Sequence, residues 1–263
     1  MSDPFFHVFR HRTRVRGVIE CVSALRIGVG RSSDALGTDL PILRDARGVP
    51  VIPGASIKGV VRSQVEALLR AMNQSWAGDP FEQGGSDEER ARAGEGSAAK
   101  KAKEVRDDIA KNADEASRIF GRPNLASHVR FADAYPVPGQ EIAVEVRDGV
   151  AIDRDLGRVS GAKKYDFEVV AAGSRFTLEL MMDGLEERQE GAVVAGLEML
   201  NEGFARLGGF KSRGLGLVKL VDLEVSGLRG PTLERFEHTW DEFHGSRLAA
   251  FRRWAGEATK GAA

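Results

Sequence analysis

Three stretches of this chain carry residue types that could do chemistry, and glycine or proline punctuates each of them. The first is Ile52-Pro53-Gly54-Ala55-Ser56-Ile57-Lys58-Gly59-Val60-Val61-Arg62. Pro53 and Gly54 close the preceding strand, and Ser56 can cap the helix that follows. Lys58 and Arg62 stand four apart, so they project from one side of its first turns. A helix N-terminus with free N–H groups, a hydroxyl and two cations is a seat for a phosphate; the ordinary alternative is a capped amphipathic helix with a solvated basic face. The second stretch, residues 208–216, sets Phe210, Lys211, Ser212, Arg213 and Leu215 among four glycines. Glycines let the backbone approach a ligand, and Lys211, Ser212 and Arg213 offer charge and donors. A helix cap needs only one glycine, so the excess points to ligand contact. No Gly-Lys-Ser/Thr ends a four-residue spacer here, so this is not a Walker loop. The loop also follows a helix and precedes a strand, the reverse of the dinucleotide-binding order. The third stretch places Asp39 in the loop Gly37-Thr38-Asp39-Leu40-Pro41, where an aspartate ordinarily stabilises a turn. The five histidines form no constellation: His7 and His11 share a face only in a helix, and His238 with His244 misfits a metal-binding helix.

The elements that must position these residues follow from periodicity. Residues 12–28 read as a strand with Val15, Ile19 and Cys21 on one face and Arg14, Arg16 and Glu20 on the other. A polar Gly-rich loop follows, then two short extended pieces around a turn at 45–48. Ile57, Val61, Val65, Leu68 and Met72 recur at helical spacing. Residues 77–118 are polar and charged, an insertion read as helical from about 98 to 119. Strand character returns at 128–134 and 141–146, and again where Phe176, Leu178, Leu180 and Met182 alternate with other residues. A second helix is expected over about 186–206, with Val193, Leu197, Leu200, Phe204 and Leu207 on one face. A strand at 217–225 and an amphipathic segment at 231–255 finish the chain. This order suits an α+β sheet with helices on one side, of the ferredoxin-like kind that also underlies the RNA-recognition module.

The 263 residues are 42% hydrophobic, enough for a real core. No run reaches the roughly 20 apolar residues of a membrane span, and the N-terminus does not read as a signal peptide, so a cytoplasmic protein without membrane partners is expected. Cys21 is the single cysteine, which excludes an internal disulfide and a Cys-based zinc site. With 38 Lys+Arg against 39 Asp+Glu the chain is not a generally basic nucleic-acid binder. Arg10, Arg12, Arg14 and Arg16 nevertheless fall on one side of an extended segment, a basic stripe that fits either nucleic acid or an ordinary polar strand face.

Taken together, these segments resemble the RAMP superfamily of CRISPR-associated proteins, especially the repeated backbone subunits of type III effector complexes. The matching pieces are Leu25-Arg26-Ile27-Gly28, residues 38–45, the run 52–62, Ile119-Phe120-Gly121 and Val129-Arg130-Phe131-Ala132-Asp133-Ala134. Residues 150–155, 165–170 and the loop 208–216 complete the set. The resemblance implies a modified ferredoxin-like/RRM fold in one RAMP domain. Its core would span about 10–76 and 119–226, with a partly helical insertion at 77–118, a β-hairpin thumb at 148–170 and a C-terminal extension, 227–263, carrying an amphipathic helix. It implies copies stacked along a guide (CRISPR) RNA beside other effector subunits, with the thumb wedging open the guide–target duplex. Arg154, Arg158, Lys163 and Lys164 would contact phosphates there, with Leu156 or Val159 against bases. Ser56, Lys58, Arg62, Lys211, Ser212 and Arg213 become RNA-binding candidates, as does Arg26, which stands where some relatives carry His. Arginine can grip a phosphate but cannot exchange protons near neutral pH. By position Asp39 inherits the catalytic role in cutting complementary target RNA with Mg2+ or another divalent cation, as the base for the ribose 2′-hydroxyl or as a metal ligand. The alternatives are a non-catalytic scaffold, a stand-alone endonuclease for precursor RNA, and a small-molecule enzyme on a ferredoxin-like sheet.

Overall fold

The computed structural model describes residues 8–31, 37–78, 113–122, 125–152 and 159–261, with backbone alone at 151, 152, 159–163, 260 and 261. The chain starts with β1 (His11–Cys21), which alternates as its sequence requires. Thr13, Val15, Ile19 and Cys21 are buried on one side, and Arg12, Arg14 and Arg16 emerge on the other. The strand stops at Cys21 rather than reaching residue 28. Beyond it Leu25 exchanges backbone bonds with Val170, and Gly28 bridges Ile42, so these residues pair outside the main sheet.

Helix α1 (Gly54–Met72) buries Ile57, Val61, Val65, Leu69 and Met72. Leu69 takes the core position expected of Leu68, because successive fours from Ile57 lead to it, and Leu68 packs only partly. Ser56 does not cap this helix. Pro53 occupies the N-cap, and the Gly54 N–H donates to Asp133 Oδ1 at 2.8 Å. Gly54 must be glycine, since a Cβ there would meet the Phe131 carbonyl oxygen at 2.2 Å. From the insertion, the described residues include the short helix α2 (Glu115–Phe120), capped by Asp114. The rest of the helix expected from 98 lies outside the described residues.

Strand β2 (Val129–Phe131) is followed by the hairpin β3 (Val144–Ile152) and β4 (Val159–Val170), and then by β5 (Arg175–Asp183). Helix α3 (Glu187–Asn201), β6 (Val218–Arg229), β7 (Glu234–Thr239) and α4 (Trp240–Gly261) complete the order. The main sheet runs β2-β5-β1-β6-β7, all antiparallel, and β3-β4 form a separate ribbon. Without β7, the connectivity β1-α1-β2-β5-α3-β6 in that spatial order is the ferredoxin-like split βαβ. The α+β expectation therefore holds, with a hairpin where the thumb was expected and a helix at the C-terminus. The first part of the C-terminal segment is a strand, however, because 234–239 pair with β6.

Helix α3 is the hinge of the packing. Gly196 lets α1 approach until a Cβ would sit 2.9 Å from Val65, and Gly191 does the same for α4, where the Arg247 carbonyl would be 2.2 Å away. Phe243, Leu248, Phe251 and Trp254 of α4 are thereby buried, each contributing about 1.5–3 kcal/mol of apolar burial. Beneath them, buried Glu190 accepts from Thr13 Oγ1 at 2.8 Å and from Arg247 Nε at 2.6 Å, tying α4 to β1. Helix α3 ends earlier than expected. Gly203 turns left-handed at φ 79, so Leu207 is buried off the helix and Phe204 is left outside the core.

Candidate nucleic-acid interface

The loop 208–216 is folded back on the segment after β1. Leu207 N–H donates to the Gly216 carbonyl at 2.9 Å, and Gly209 N–H donates to the Arg26 carbonyl at 2.8 Å. Two of its glycines are obligatory. A Cβ on Gly208 (φ 81) would lie 2.3 Å from the Arg26 oxygen, and one on Gly216 (φ 81) 2.0 Å from the Leu207 oxygen. Between them Phe210 takes a left-handed conformation at φ 55, rare for an aromatic residue. Contacts to its ring hold it: the guanidinium groups of Arg26 and Arg213 lie 4.9 and 4.6 Å from its ring centroid. Its edge meets Phe167 of β4 at 5.0 Å. Phe210 thus fastens the glycine loop to the hairpin.

The other wall is α1. Ser56, Gly59, Ser63 and Gln64 face the loop across a groove of about 790 Å³. Arg26, Arg206 and Lys211 also line it, and no carboxylate does among the described residues. In a chain of net charge −1 this segregation marks an anion site. Arg26 makes the floor. It is only 8% exposed, and its Nε is buried without a hydrogen-bond partner. Burial pulls its pKa below the usual arginine value, though a guanidinium stays charged at any pH of interest. Among the described residues its one side-chain hydrogen bond is long, Nη2 to the Leu40 carbonyl at 3.4 Å. A buried donor without an acceptor costs about 1–3 kcal/mol.

Through Leu40 the groove adjoins Asp39. The loop carrying Asp39 is zipped onto β4: Asp39 N–H donates to Asp166 Oδ1 at 2.6 Å, and Asp166 N–H donates to Asp39 Oδ2 at 3.2 Å. Glu168 continues the zipper, accepting from Ile42 N–H at 3.0 Å and Arg44 Nη2 at 3.2 Å. Asp39 is half-buried, at the foot of the hairpin. Among the described residues no group of three or more His, Cys, Asp or Glu side chains converges on a metal position.

The sequence candidates therefore separate. Arg26, Ser56, Lys211 and Ser212 come together at the groove. Lys58 and Arg62 point to the other flank of α1, since residues two apart on a helix diverge by about 200°. Lys58 Nζ donates to Ser127 Oγ at 2.8 Å, and burial, then the charge of Arg62, lower its pKa. Arg62 is held by Glu66 at 2.6 Å and by the Gly121 carbonyl at 3.1 Å. Arg213 turns away from the groove to the Tyr165 hydroxyl. On the hairpin Lys164 pairs with Asp148 at 3.2 Å. Arg154, Leu156 and Arg158 lie outside the described residues, as do the side chains of Val159 and Lys163. The basic stripe of β1 is largely neutralised: Arg12 and Arg130 share Asp183, while Arg16 and Arg14 reach Glu179 at 2.9 and 4.0 Å. Arg206, Phe204 and Asp166 are groove or loop residues that sequence reasoning did not single out. Arg206 sits one residue before Leu207 and braces the loop by donating to the Gly214 carbonyl at 3.2 Å, a role no local pattern announces.

Residues 18–219 match the family model described as RAMPs, the RAMP superfamily. Three proteins with the same name, CRISPR system Cms endoribonuclease Csm3, are similar along most of their length. That of Methanocaldococcus jannaschii is 28% identical over 226 residues, which cover 80% of this chain and 79% of the relative. That of Methanothermobacter thermautotrophicus is 27% identical, covering 82% and 86%. The Mycobacterium tuberculosis protein is 25% identical, covering 86% and 95%.

Proposed function

The chain belongs to the RAMP superfamily, and from that premise we propose that it is a guide-RNA-binding backbone subunit of a type III CRISPR ribonucleoprotein that cuts complementary target RNA through Asp39. The observation that carries this reading is the groove lined, among the described residues, by three cations and no acid, whose buried Arg26 bonds to Leu40, the neighbour of Asp39. The endoribonuclease name of the three relatives supports the activity. In this reading Arg26, Arg206 and Lys211 take successive phosphates, and Ser56 and Ser212 add neutral donors. Binding would then weaken with salt, with a slope of roughly −2 for three phosphates on a single strand. The partners are the guide, its complementary target, other subunits of the effector and further copies of this chain, in the cytoplasm. No helix among the described residues is long and apolar enough to cross a membrane.

For cleavage, Asp39 accepts the proton of the ribose 2′-hydroxyl, whose oxygen attacks the adjacent phosphorus to form a 2′,3′-cyclic phosphate as the bond to the 5′ oxygen of the next nucleotide breaks and that oxygen takes a proton from water. The zipper to Asp166 fixes the carboxylate while leaving it half-exposed. A magnesium ion keeps several waters and needs only one or two carboxylates plus phosphate oxygens. Asp39, with Asp166 beside it, fits that modest donor set. Such an ion supplies charge stabilisation at the scissile phosphate. Among the described residues no histidine lines the groove, which counts against a stand-alone processing nuclease built on imidazole.

The test is target cleavage by the assembled complex, with guide RNA, partner subunits and Mg2+, comparing wild type with Asp39→Ala. Regularly spaced cuts that vanish in the variant while RNA binding persists support the slicer. A second reading, a scaffold without catalysis, draws on the absence of a three-ligand metal cluster among the described residues; it is the answer if both complexes bind and neither cuts.

A further inference from the structure

Phe204 is the most exposed large hydrophobic residue among those described, at 80%. Its position makes that exposure unusual. It follows Glu202, the C-cap of α3, and the left-handed Gly203, a place whose apolar side chain commonly packs back on the last helical turn. Here the chain is fixed on both sides without it. A Cβ on Gly203 would meet Leu217 Cδ1 at 2.6 Å, and Ala205, buried, donates its N–H to the Met199 carbonyl at 2.9 Å. Phe204 is therefore presented on a rigid corner. A lone exposed apolar residue needs no explanation by itself. This one borders the same groove as Arg26, Arg206 and Lys211, where no carboxylate lies.

An aromatic ring beside a row of cations suits one occupant best, an unpaired nucleotide strand. The cations take the phosphates, and the ring takes the face of a base. A protein partner would meet one exposed aromatic ring among cations, with only Ile27, Ala55, Val60 and Ala205 as further apolar lining among the described residues, and a bare polyphosphate would leave the ring idle. Resting on the RNA-binding reading above, we propose that Phe204 is a stacking platform for one base of the strand whose phosphates lie in the groove. The contact is sequence-tolerant, because every base has a π face, and it accommodates only a base whose own stack is opened there.

The test uses the full chain and fluorescently labelled oligouridylate, read by anisotropy across a salt series, with the guide-containing complex as a second format. Phe204→Ala should weaken binding about tenfold, within the range of base–aromatic stacking, with its salt slope unchanged. Phe204→Trp should retain the affinity, and Phe204→Leu should fall with the alanine variant. An otherwise identical abasic strand should bind wild type and Phe204→Ala equally. Lys211→Ala should instead reduce the salt slope by about 0.7, the signature of one lost phosphate on a single strand. If Phe204→Ala binds like wild type while Lys211→Ala loses its slope, the platform is refuted and the RNA groove stands. If wild type shows no salt-dependent binding in either format, both fall.

Discussion

In Arg26→Met the aliphatic stem of the side chain is kept and the guanidinium is removed from the floor of the groove. The effect on stability is a difference between two terms of similar size. Removing the idle Nε relieves about 1–3 kcal/mol of unsatisfied buried donor. Against this stands the cation–π contact to Phe210, worth about 1–2 kcal/mol where partly desolvated, and a hydrogen bond to Leu40 at the long limit of 3.4 Å. The two terms nearly cancel, so the variant should lie within about 1 kcal/mol of wild type, or roughly 2–4 °C in Tm for a domain of this size. RNA affinity should fall by more. Loss of one charge-assisted phosphate contact costs about 1.5–3 kcal/mol, or roughly 10- to 150-fold. Equilibrium urea unfolding, with m unchanged between the two proteins, and anisotropy with single-stranded RNA measure the two effects. A variant destabilised by more than about 1 kcal/mol with its affinity intact would refute the argument: Arg26 would then be a structural cation.

Other outcomes follow from the same contacts. Gly208→Ala must place a Cβ 2.3 Å from the Arg26 carbonyl at positive φ, so stability should drop by about 2 kcal/mol or more and the groove should lose RNA; a melting curve within 1 °C of wild type contradicts this, about 2 kcal/mol being worth several degrees. Asp166→Ala removes the acceptor of the Asp39 N–H and should slow target cleavage by about tenfold or more while guide binding persists, the cost of loosened catalytic geometry; single-turnover cleavage decides it. Burial raises the pKa of Glu190, but the His11 contact, the charge and hydrogen bond of Arg247 and the Thr13 hydroxyl outweigh it, so the folded value is lowered. Its stabilising contribution is thus full above the unfolded value of about 4.3 and is lost as pH falls through the lower, folded value. Acid unfolding followed by circular dichroism should accordingly be less steep in Glu190→Gln.

Much of the scaffold was legible because its signals are local. The alternation of β1 and β5 and the fours of α1 each follow from burying one face of a regular element. The glycine loop stood out because its glycines exceed what a cap needs, but Gly208 and Gly216 are required by the chain's own Arg26 and Leu207 carbonyls, where a Cβ cannot fit, a need that no local pattern separates from ligand contact. What failed depended on partners distant in sequence. Ser56 yields the cap to Asp133, which a local reading of 52–62 does not include. Lys58 and Arg62 read as free cations until Ser127, Gly121 and Glu66 are seen to engage them. Arg14 and Arg16 formed a stripe only while Glu179, more than 160 residues later, was out of view. Phe204 fitted the period of α3, and a single left-handed glycine moved it from the core to the groove.

The contact of Phe210 with two guanidinium groups has a mechanical consequence. Arg26 reaches from that ring to the Leu40 carbonyl, and Leu40 is bonded to the strand that bears Phe167, on which the same ring rests. These contacts close a circuit, so the groove floor, the hairpin foot and the Asp39 loop cannot be displaced separately without opening a link. On the proposed function, the span from the cation-lined groove to the Asp39 carboxylate is therefore a fixed gauge. A strand registered at one end would be cut at a set number of nucleotides away, whatever its bases.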